Sequence, residues 1–408
     1  TVIQTEQNRW YFTYHHYFEL PEQFVHRTQL SMVSDLRYAQ DFPRDLDANG
    51  EPAIENKVSI TKSTEASLLT GEVTYNINQL VEDPLDDNNT SVHRFPEIKY
   101  NIMDQQLMDS PFYLGLDTQF VHFARRRFSY DDVVNSGEPL GDGTTCPSSA
   151  VKCISRVRDG EFQPSHGDLL RTGHRFEVAP HLSMPFRIMH LLEVLPVVTY
   201  RETQYRFTAH TDELNTSYNP TAARRFIEYE IGAKTYLSSI YKSPFNPDKN
   251  EQQEVRYKHI IEPEVRFSHI PWMRRPDHYF FGQFEGQPYS QTNEPISDDD
   301  FFNSNKIQFD YEDRVFDRRI IEFGVSNRII RRSWLLDHPE YHTLGVIRLS
   351  QSFDFNEAQT SRDQPWSTIN GLVDLRFDRF ELHSIGIYYP YAQVTNSSSR
   401  FRLKNEGG

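Results

Sequence analysis

The side chains in this sequence whose types and spacing could do chemistry are Cys146 and Cys153, His259 and Glu262, the adjacent Glu312 and Asp313, the run Asp298-Asp299-Asp300, and the basic runs Arg125-Arg126-Arg127 and Arg331-Arg332. The two cysteines bracket the segment CPSSAVKC within a stretch rich in Gly, Asp, Thr and Ser. That spacing predicts a loop staple formed in an oxidising compartment, with two unpaired thiols as the alternative. Four soft ligands are not clustered here, so a zinc site is not expected. His259 and Glu262 could pair or hold a cation, but in an extended chain a separation of three puts them on opposite faces, which favours a structural role. Glu312 and Asp313 imitate a glycosidase dyad only if their carboxyl groups stand at the right separation. The three aspartates could hold Ca²⁺ or Mg²⁺, or be a solvated acidic loop. The arginine runs could meet lipid phosphates at strand ends, or be solvated or lumenal charge. None of the patterns G-x-S-x-G, H-E-x-x-H or G-x-x-x-x-G-K-[ST] occurs. No catalytic or metal-ligating set, and no cofactor, is expected.

The elements that would position these groups are strands. Trp10, Phe12, Tyr14, His16, Phe18 and Leu20 alternate with Tyr11, Thr13, His15, Tyr17 and Glu19. A second run sets Val25, Arg27, Gln29, Ser31 and Val33 against Phe24, His26, Thr28, Leu30 and Met32, and a third runs over 112–123. A period of two recurring along the chain predicts a long all-β protein. Between the runs lie short turns such as Leu20-Pro21-Glu22-Gln23 and long polar excursions at 41–56, 131–169, 242–254 and 274–305. Compact soluble domains seldom carry several such loops, whereas outer-membrane barrels do, with short turns at one end and long loops at the other.

Composition narrows the class. With 43 basic and 58 acidic side chains the formal net charge is −15, which argues against a nucleic-acid binder that must neutralise phosphates. The longest apolar stretch, Leu191 to Val198, is broken by Glu193 and Pro196 and is too short for a spanning helix. Aromatic residues reach 13% although the mean hydropathy is only −0.68. Both numbers suit strands of about 9–11 residues that show alternate side chains to lipid, with rings gathered at the interfaces. The expected fold is a large antiparallel transmembrane β-barrel, with about 16–20 strands at roughly 20–25 residues per strand and connection.

The segments Val33 to Phe42, Arg94 to Ile98, Gly173 to Phe186, Lys258 to Phe267 and Phe309 to Arg314, in that order, resemble the barrel of the LptD family of lipopolysaccharide assembly proteins. Val33 to Phe42, with Ser34, Asp35, Tyr38, Asp41 and Phe42, is similar to the family's "vSDxxYxxDF" stretch. Arg94 to Ile98, with Pro96 and Glu97, resembles "R-x-P-E". Gly173 to Phe186, with Gly173, Arg175, Pro180 and Pro185, resembles "GxRxxxxPxlsxP", and Lys258 to Phe267, with His259, Glu262 and Pro263, resembles "kHxiePxxxy". Phe309 to Arg314, with Asp310, Asp313 and Arg314, resembles "D-x-x-D-R". The resemblance implies a conduit for lipopolysaccharide into the outer leaflet of a Gram-negative outer membrane. Its partners would be lipopolysaccharide, outer-membrane lipids, an LptE-like lipoprotein plug and a periplasmic LptA-like bridge, without nucleic acid. It implies further that residues 1–408 are part of a barrel domain, with an N-terminal jelly-roll domain and the last strands outside them. Generic porin or transporter barrels, and a soluble secreted β-rich enzyme, are the alternatives. Pro180 and Pro185 read either as a weakened strand or as a strand end or bulge, and Pro263 likewise.

Overall fold

The computed structural model describes residues 8–42, 44–45, 53–79, 87–141, 143–148, 152–155, 161–162, 168–208, 219–242, 255–274, 276, 278, 280, 309, 311–313, 315, 318–335, 338–359 and 364–404. Among the described residues seventeen strands join one sheet, and their pairings are antiparallel. Chain order is β1 (Tyr11–Leu20), β2 (Phe24–Val33), β3 (Ala53–Ser63), β4 (Ser67–Asn78), β5 (His93–Gln106) and β6 (Tyr113–Ala124). Four short strands follow in the next connection, β7 (Tyr130–Asp131), β8 (Val133–Asn135), β9 (Lys152–Ile154) and β10 (Leu169–Leu170). The sheet resumes with β11 (Gly173–Ser183), β12 (Phe186–Ile188), β13 (Leu192–Phe207), β14 (Thr221–Thr235), β15 (Leu237–Lys242) and β16 (Arg256–Arg274). It ends with β17 (Arg319–Leu335), β18 (His338–Asp354), β19 (Ile369–Arg376), β20 (Phe380–Tyr389) and β21 (Val394–Leu403). Each strand pairs with the next in an up-and-down meander, and β11 pairs with β6 across the excursion. β12 continues β11 against β13, and β15 continues β14 against β16, which leaves fifteen long arms. Among the described residues β1 pairs only with β2 and β21 only with β20, so the sheet is open along these two edges.

The connections sort by end. One end carries the short connections at 21–23, 64–66, 107–112, 189–191, 336–337 and 377–379; the other carries 34–52, 79–92, 125–172, 208–220, 275–318 and 355–368. The segment 243–255 at the first end and 390–393 at the second depart from this rule. The expected excursion at 41–56 is cut short, because residues 53–56 already belong to β3 and pair with 75–78.

Alternation separates two faces. On β6, β11, β13 and β14 one face carries Leu114, Phe120, Phe176, Leu182, Val198, Tyr229 and Ile231, and the other carries Gln119, Arg175, Thr203, Tyr205 and Arg224. Phe176, Leu182, Tyr229 and Ile231 are exposed, whereas Arg175 and Arg224 are 1% exposed. Soluble packing would give the reverse, and a wall with lipid on its apolar face gives this arrangement.

Strand prolines mark the places where the ladder pauses, because proline has no N–H to donate. Pro96 lies in a bulge of β5, between Arg94 and Glu97, which oppose Phe123 and Val121. Pro180 stands inside β11, not at its end, and the pairing toward β13 skips Ala179 and Pro180. Pro185 falls in the gap between β11 and β12, facing Leu195 of β13. Pro263 faces the gap between β14 and β15, and Pro271 lies in the β16 bulge opposite Ile227 and Tyr229.

The connection 125–172 folds on itself. β7 pairs with β10, β8 with β9, and Cys146 and Cys153 are joined by a disulfide beside the second pair. Asp131 sits between Arg125 (2.6 Å) and Arg171 (2.7 Å). Burial would raise its carboxyl pKa, but the two guanidiniums outweigh burial and hold it below the ordinary value. A depressed folded-state pKa gives stability that is present above the ordinary carboxylate range and lost as pH falls through the depressed value. Amide exchange at 129–133, corrected for intrinsic rates, should therefore be flat from pH 5 to 8 and rise below about pH 4; Asp131→Asn should speed exchange at neutral pH and flatten the acid limb.

Candidate functional site

The described part of the connection before β17 returns onto the polar face of the sheet. Its 3-10 turn, Tyr311–Asp313, brings Asp313 to Arg175, which lies 138 positions earlier. Arg175 Nη1 donates to Asp313 Oδ1 (2.9 Å), and its Nη2 donates to Glu312 Oε2 (2.6 Å) and Gln119 Oε1 (3.2 Å). Tyr205 Oη donates to Asp313 Oδ1 (3.0 Å), Arg224 Nη1 to the Asp313 carbonyl (2.7 Å), and the Phe309 N–H to Asp313 Oδ2 (3.2 Å). Gln119 Nε2 donates to Glu97 Oε1 (2.7 Å), and Glu97 also meets Lys99 (2.7 Å) and Arg94 (3.2 Å). One polar network thus joins β5, β6, β11, β13 and β14 to the returning loop. Buried charges of this kind are tolerated only when paired and hydrogen-bonded, and here each carboxylate faces at least one cation.

Rings pack beside the network. Phe309 stacks on Phe123 with centroids 4.5 Å apart and lies against Tyr205, Phe207 and Phe280. Tyr130, Phe162, Leu170 and Ala222 complete this core, so connection 125–172 and the loop before β17 share it. Gly173 is required here: its φ is +156°, and a Cβ would fall 2.7 Å from the Arg206 carbonyl and 3.1 Å from the Phe309 ring. Val315 packs with Phe226 and Ile270 a little further along the same loop.

The first motif builds a second clamp. Asp35 takes a two-pronged bond from Arg9 (2.7 and 2.8 Å), Asp41 takes a third from it (2.8 Å), and Arg9 lies over the Phe42 and Tyr38 rings. Ser34 Oγ donates to Asp35 and accepts from the Trp10 N–H. Four of the five motif residues therefore converge on the cation that precedes edge strand β1, and Ser34 braces one of them.

Glu97, Gly173, Arg175 and Asp313 are brought together, whereas Pro96, Pro180, Pro185 and Pro263 shape the ladder. His259 bonds Asn327 (2.7 Å) and Glu262 approaches Arg328 (3.8 Å), on opposite faces as their spacing requires. Asp310, Arg314 and the aspartates at 298–300 lie outside the described residues. In the two arginine runs, Arg125 is engaged by Asp131 and Arg331 by Asp378. Ser183 and His181 both bond Asp104, so no imidazole is aligned to activate that hydroxyl. Sequence reasoning missed Arg9, Gln119, Tyr205, Arg224 and Phe309. The position of Arg9 just before the aromatic run was the only local hint.

Toward the short-turn end the polar face holds an open recess of about 670 Å³, lined by Arg187, Glu193, Lys234, Glu264, Arg266 and Glu322 among others. Its charges are partly paired, as in Arg187 with Glu193 (2.5 Å) and Lys234 with Glu193 (3.6 Å).

An antiparallel meander with one apolar face, one charged face and loops gathered at one end is the wall of an outer-membrane β-barrel protein. The chain belongs to the LptD family, whose profile, described as LPS transport system D, matches residues 7–370. It is 21% identical over 310 residues to the LPS-assembly protein LptD of Xanthomonas campestris pv. campestris, in strain 8004 and in strain ATCC 33913. The match covers 75% of this chain and 33% of those proteins, so the chain spans about a third of the length of these relatives. The siderophore receptor PirA from Acinetobacter baumannii is similar over 93% of this chain and 42% of its own, at 11% identity and a TM-score of 0.29, which adds nothing to the assignment.

Breaking a buried ion pair by removing one partner costs about 3–5 kcal/mol. Asp313→Ala should therefore speed exchange at the Phe309 amide by about a hundredfold or more while leaving β17 and β18 protected. Asp313→Glu should give an intermediate rate.

Proposed function

We propose that this chain forms part of the barrel wall that carries lipopolysaccharide to the outer leaflet. The observation that supports it is the pairing of family membership with a sheet whose polar face bears the charged recess and whose apolar face bears exposed rings. A phosphorylated sugar chain can move along a charged wall, while acyl chains cannot cross it cheaply and leave between strands into lipid. The wall's work is passage and orientation, without bond-making. In this reading an LptE-like lipoprotein plug occupies the polar side, an LptA-like bridge delivers substrate from the periplasm, and the long connections face outward. The network around Arg175 and Asp313 fixes the described part of the loop before β17 against that wall.

Photocrosslinking residues at Glu230, Arg266 and Glu322 in the intact protein should capture lipopolysaccharide during transport. The same residue at Val265 or Phe323 should capture membrane lipid without dependence on transport. Capture of other solutes with none of lipopolysaccharide at the first three positions would overturn the proposal.

A further inference from the structure

The wall is not level at its short-connection end. The β12–β13 hairpin stops early, because the last pair between β13 and β14 is Leu192 with Thr235, while the chain runs on as β15 against β16. β15 keeps the register of β14, so Lys242, Arg256 and Arg332 form one row across β15, β16 and β17, and Ile240, Lys258 and Ile330 form another on the same face. Among the described residues β15 pairs with β16 alone, and its other edge, Leu237–Lys242, has no strand beside it. A spanning strand takes about ten residues. Counted from Ile227, which faces the exposed Trp272, these end near Tyr236. β15 therefore stands beyond the hydrocarbon, where its unpaired N–H and C=O groups meet water; within hydrocarbon they could not stay open.

An open edge with apolar side chains is a liability in water, and native edges are blunted by charge, proline or a bulge. Here Leu237, Ile240 and Tyr241 are each more than half exposed, the strand has neither proline nor bulge, and its one charge is Lys242. The neighbouring hairpin tip extends the patch. Met189 and His190 both take left-handed backbone (φ +51° and +57°), in a turn closed by the Leu191 N–H on the Ile188 carbonyl (3.0 Å). Asn-Gly would suit such a turn without strain, yet Met189 stands there, 84% exposed. The same end is basic: residues 237–242, 256–261 and 327–335 hold six Lys and Arg and no Asp or Glu. Glu262 and Asp378 reach Arg328 and Arg331 from outside these segments. Lys258 lies over the Tyr236 ring (5.3 Å) and Arg332 over Trp334 (5.7 Å), and neither meets a carboxylate among the described residues.

We propose that the free edge of β15 receives an extended, acidic segment of a periplasmic protein, added to the sheet as a further strand. Main-chain bonds to the edge give such a complex its affinity, and alternate side chains give it specificity. Neighbouring strands lie about 4.8 Å apart, so a carboxylate on the added strand stands directly beside Lys242 and two spacings from Lys258, which the two side chains can span over Ile240. Arg256 and Arg332 lie further off and act through the field alone. Leu237 and Tyr241 on the opposite face, with Met189 at the hairpin tip, cover apolar side chains of the same segment. A segment that alternates carboxylates with apolar residues fits both faces. The docking rests on the orientation proposed above, with the short connections in the periplasm, and is independent of what the wall transports.

The test uses the whole protein in lipid nanodiscs and three short fluorescent peptides: alternating Glu and Val, alternating Lys and Val, and the Glu-Val peptide interrupted by prolines. Anisotropy reads binding, and amide exchange reads its place. The uninterrupted Glu-Val peptide should bind at least about tenfold more tightly than the other two and should slow exchange at 238–242 while leaving 320–328 unchanged. Reversing both nearby charges, Lys242→Glu with Lys258→Glu, should invert the preference between the acidic and the basic peptide, and heat-modifiable gel mobility shows that the variant is folded. Equal binding of the Lys-Val peptide, no binding of the Glu-Val peptide, or binding that leaves exchange at 238–242 unchanged would overturn the inference. So would slow exchange there already in the free protein, or a concentration-dependent dimer that protects the same amides, since the occupant would then be the chain's own loop or a second copy. Orientation is read separately, by a membrane-impermeant maleimide on Ser239→Cys in whole cells. Labelling of intact cells overturns the orientation, whereas labelling only after the outer membrane is opened, with no peptide bound, overturns this docking alone.

Discussion

In hydrocarbon there is no water to satisfy a backbone amide, so each N–H and C=O of a spanning segment must find its partner within the sheet. The rest of this molecule depends on that constraint. It demands strands that pair on both sides, which the meander from β2 to β20 provides, and it leaves the side chains free to divide by alternation. Proline threatens the constraint directly. Pro96, Pro180, Pro185, Pro263 and Pro271 all stand at bulges or pauses of the ladder, where a missing donor removes no pair that the neighbours need.

The polar side obeys a second demand, that buried charge be matched. Arg175 and Arg224 reach inward from adjacent parts of the wall, and the loop before β17 supplies the carboxylates and carbonyl that satisfy them. The phenylalanine that arrives with those carboxylates, Phe309, closes an aromatic core against Phe123 and Phe207. Charge and apolar area thus act at one place, and the loop is held by both. The Arg9 clamp applies the same logic at the sheet edge, where β1 has one partner strand and needs another anchor.

Much of this was legible in the sequence. Alternation in 10–33 and 112–123 marks β1, β2 and β6 and assigns the same residues to a common face. Spacing alone put His259 and Glu262 on opposite faces, because the strand period leaves no other choice. The motif positions were legible as residues but not as contacts. Arg175 and Asp313 lie far apart in the chain, and nothing local says that one buried charge is waiting for the other. Arg9 and Tyr205 acquire meaning only from partners delivered by register. The same holds for Arg225 and Arg274, which are far apart in sequence and become neighbours once β14 and β16 are aligned. Within the conspicuous arginine runs, the partners Asp131 of Arg125 and Asp378 of Arg331 likewise emerge only from the fold.

The central claim is that one face of this sheet meets lipid and the other meets water along the whole wall. Spin labels placed one at a time from 320 to 328 on β17, in the intact protein in bilayers, test it through their accessibility to oxygen and to a water-soluble nickel complex. Oxygen accessibility should peak at 321, 323, 325 and 327, and nickel accessibility at 322, 324, 326 and 328. Profiles without a period of two, or with the two reagents in phase, would contradict the account.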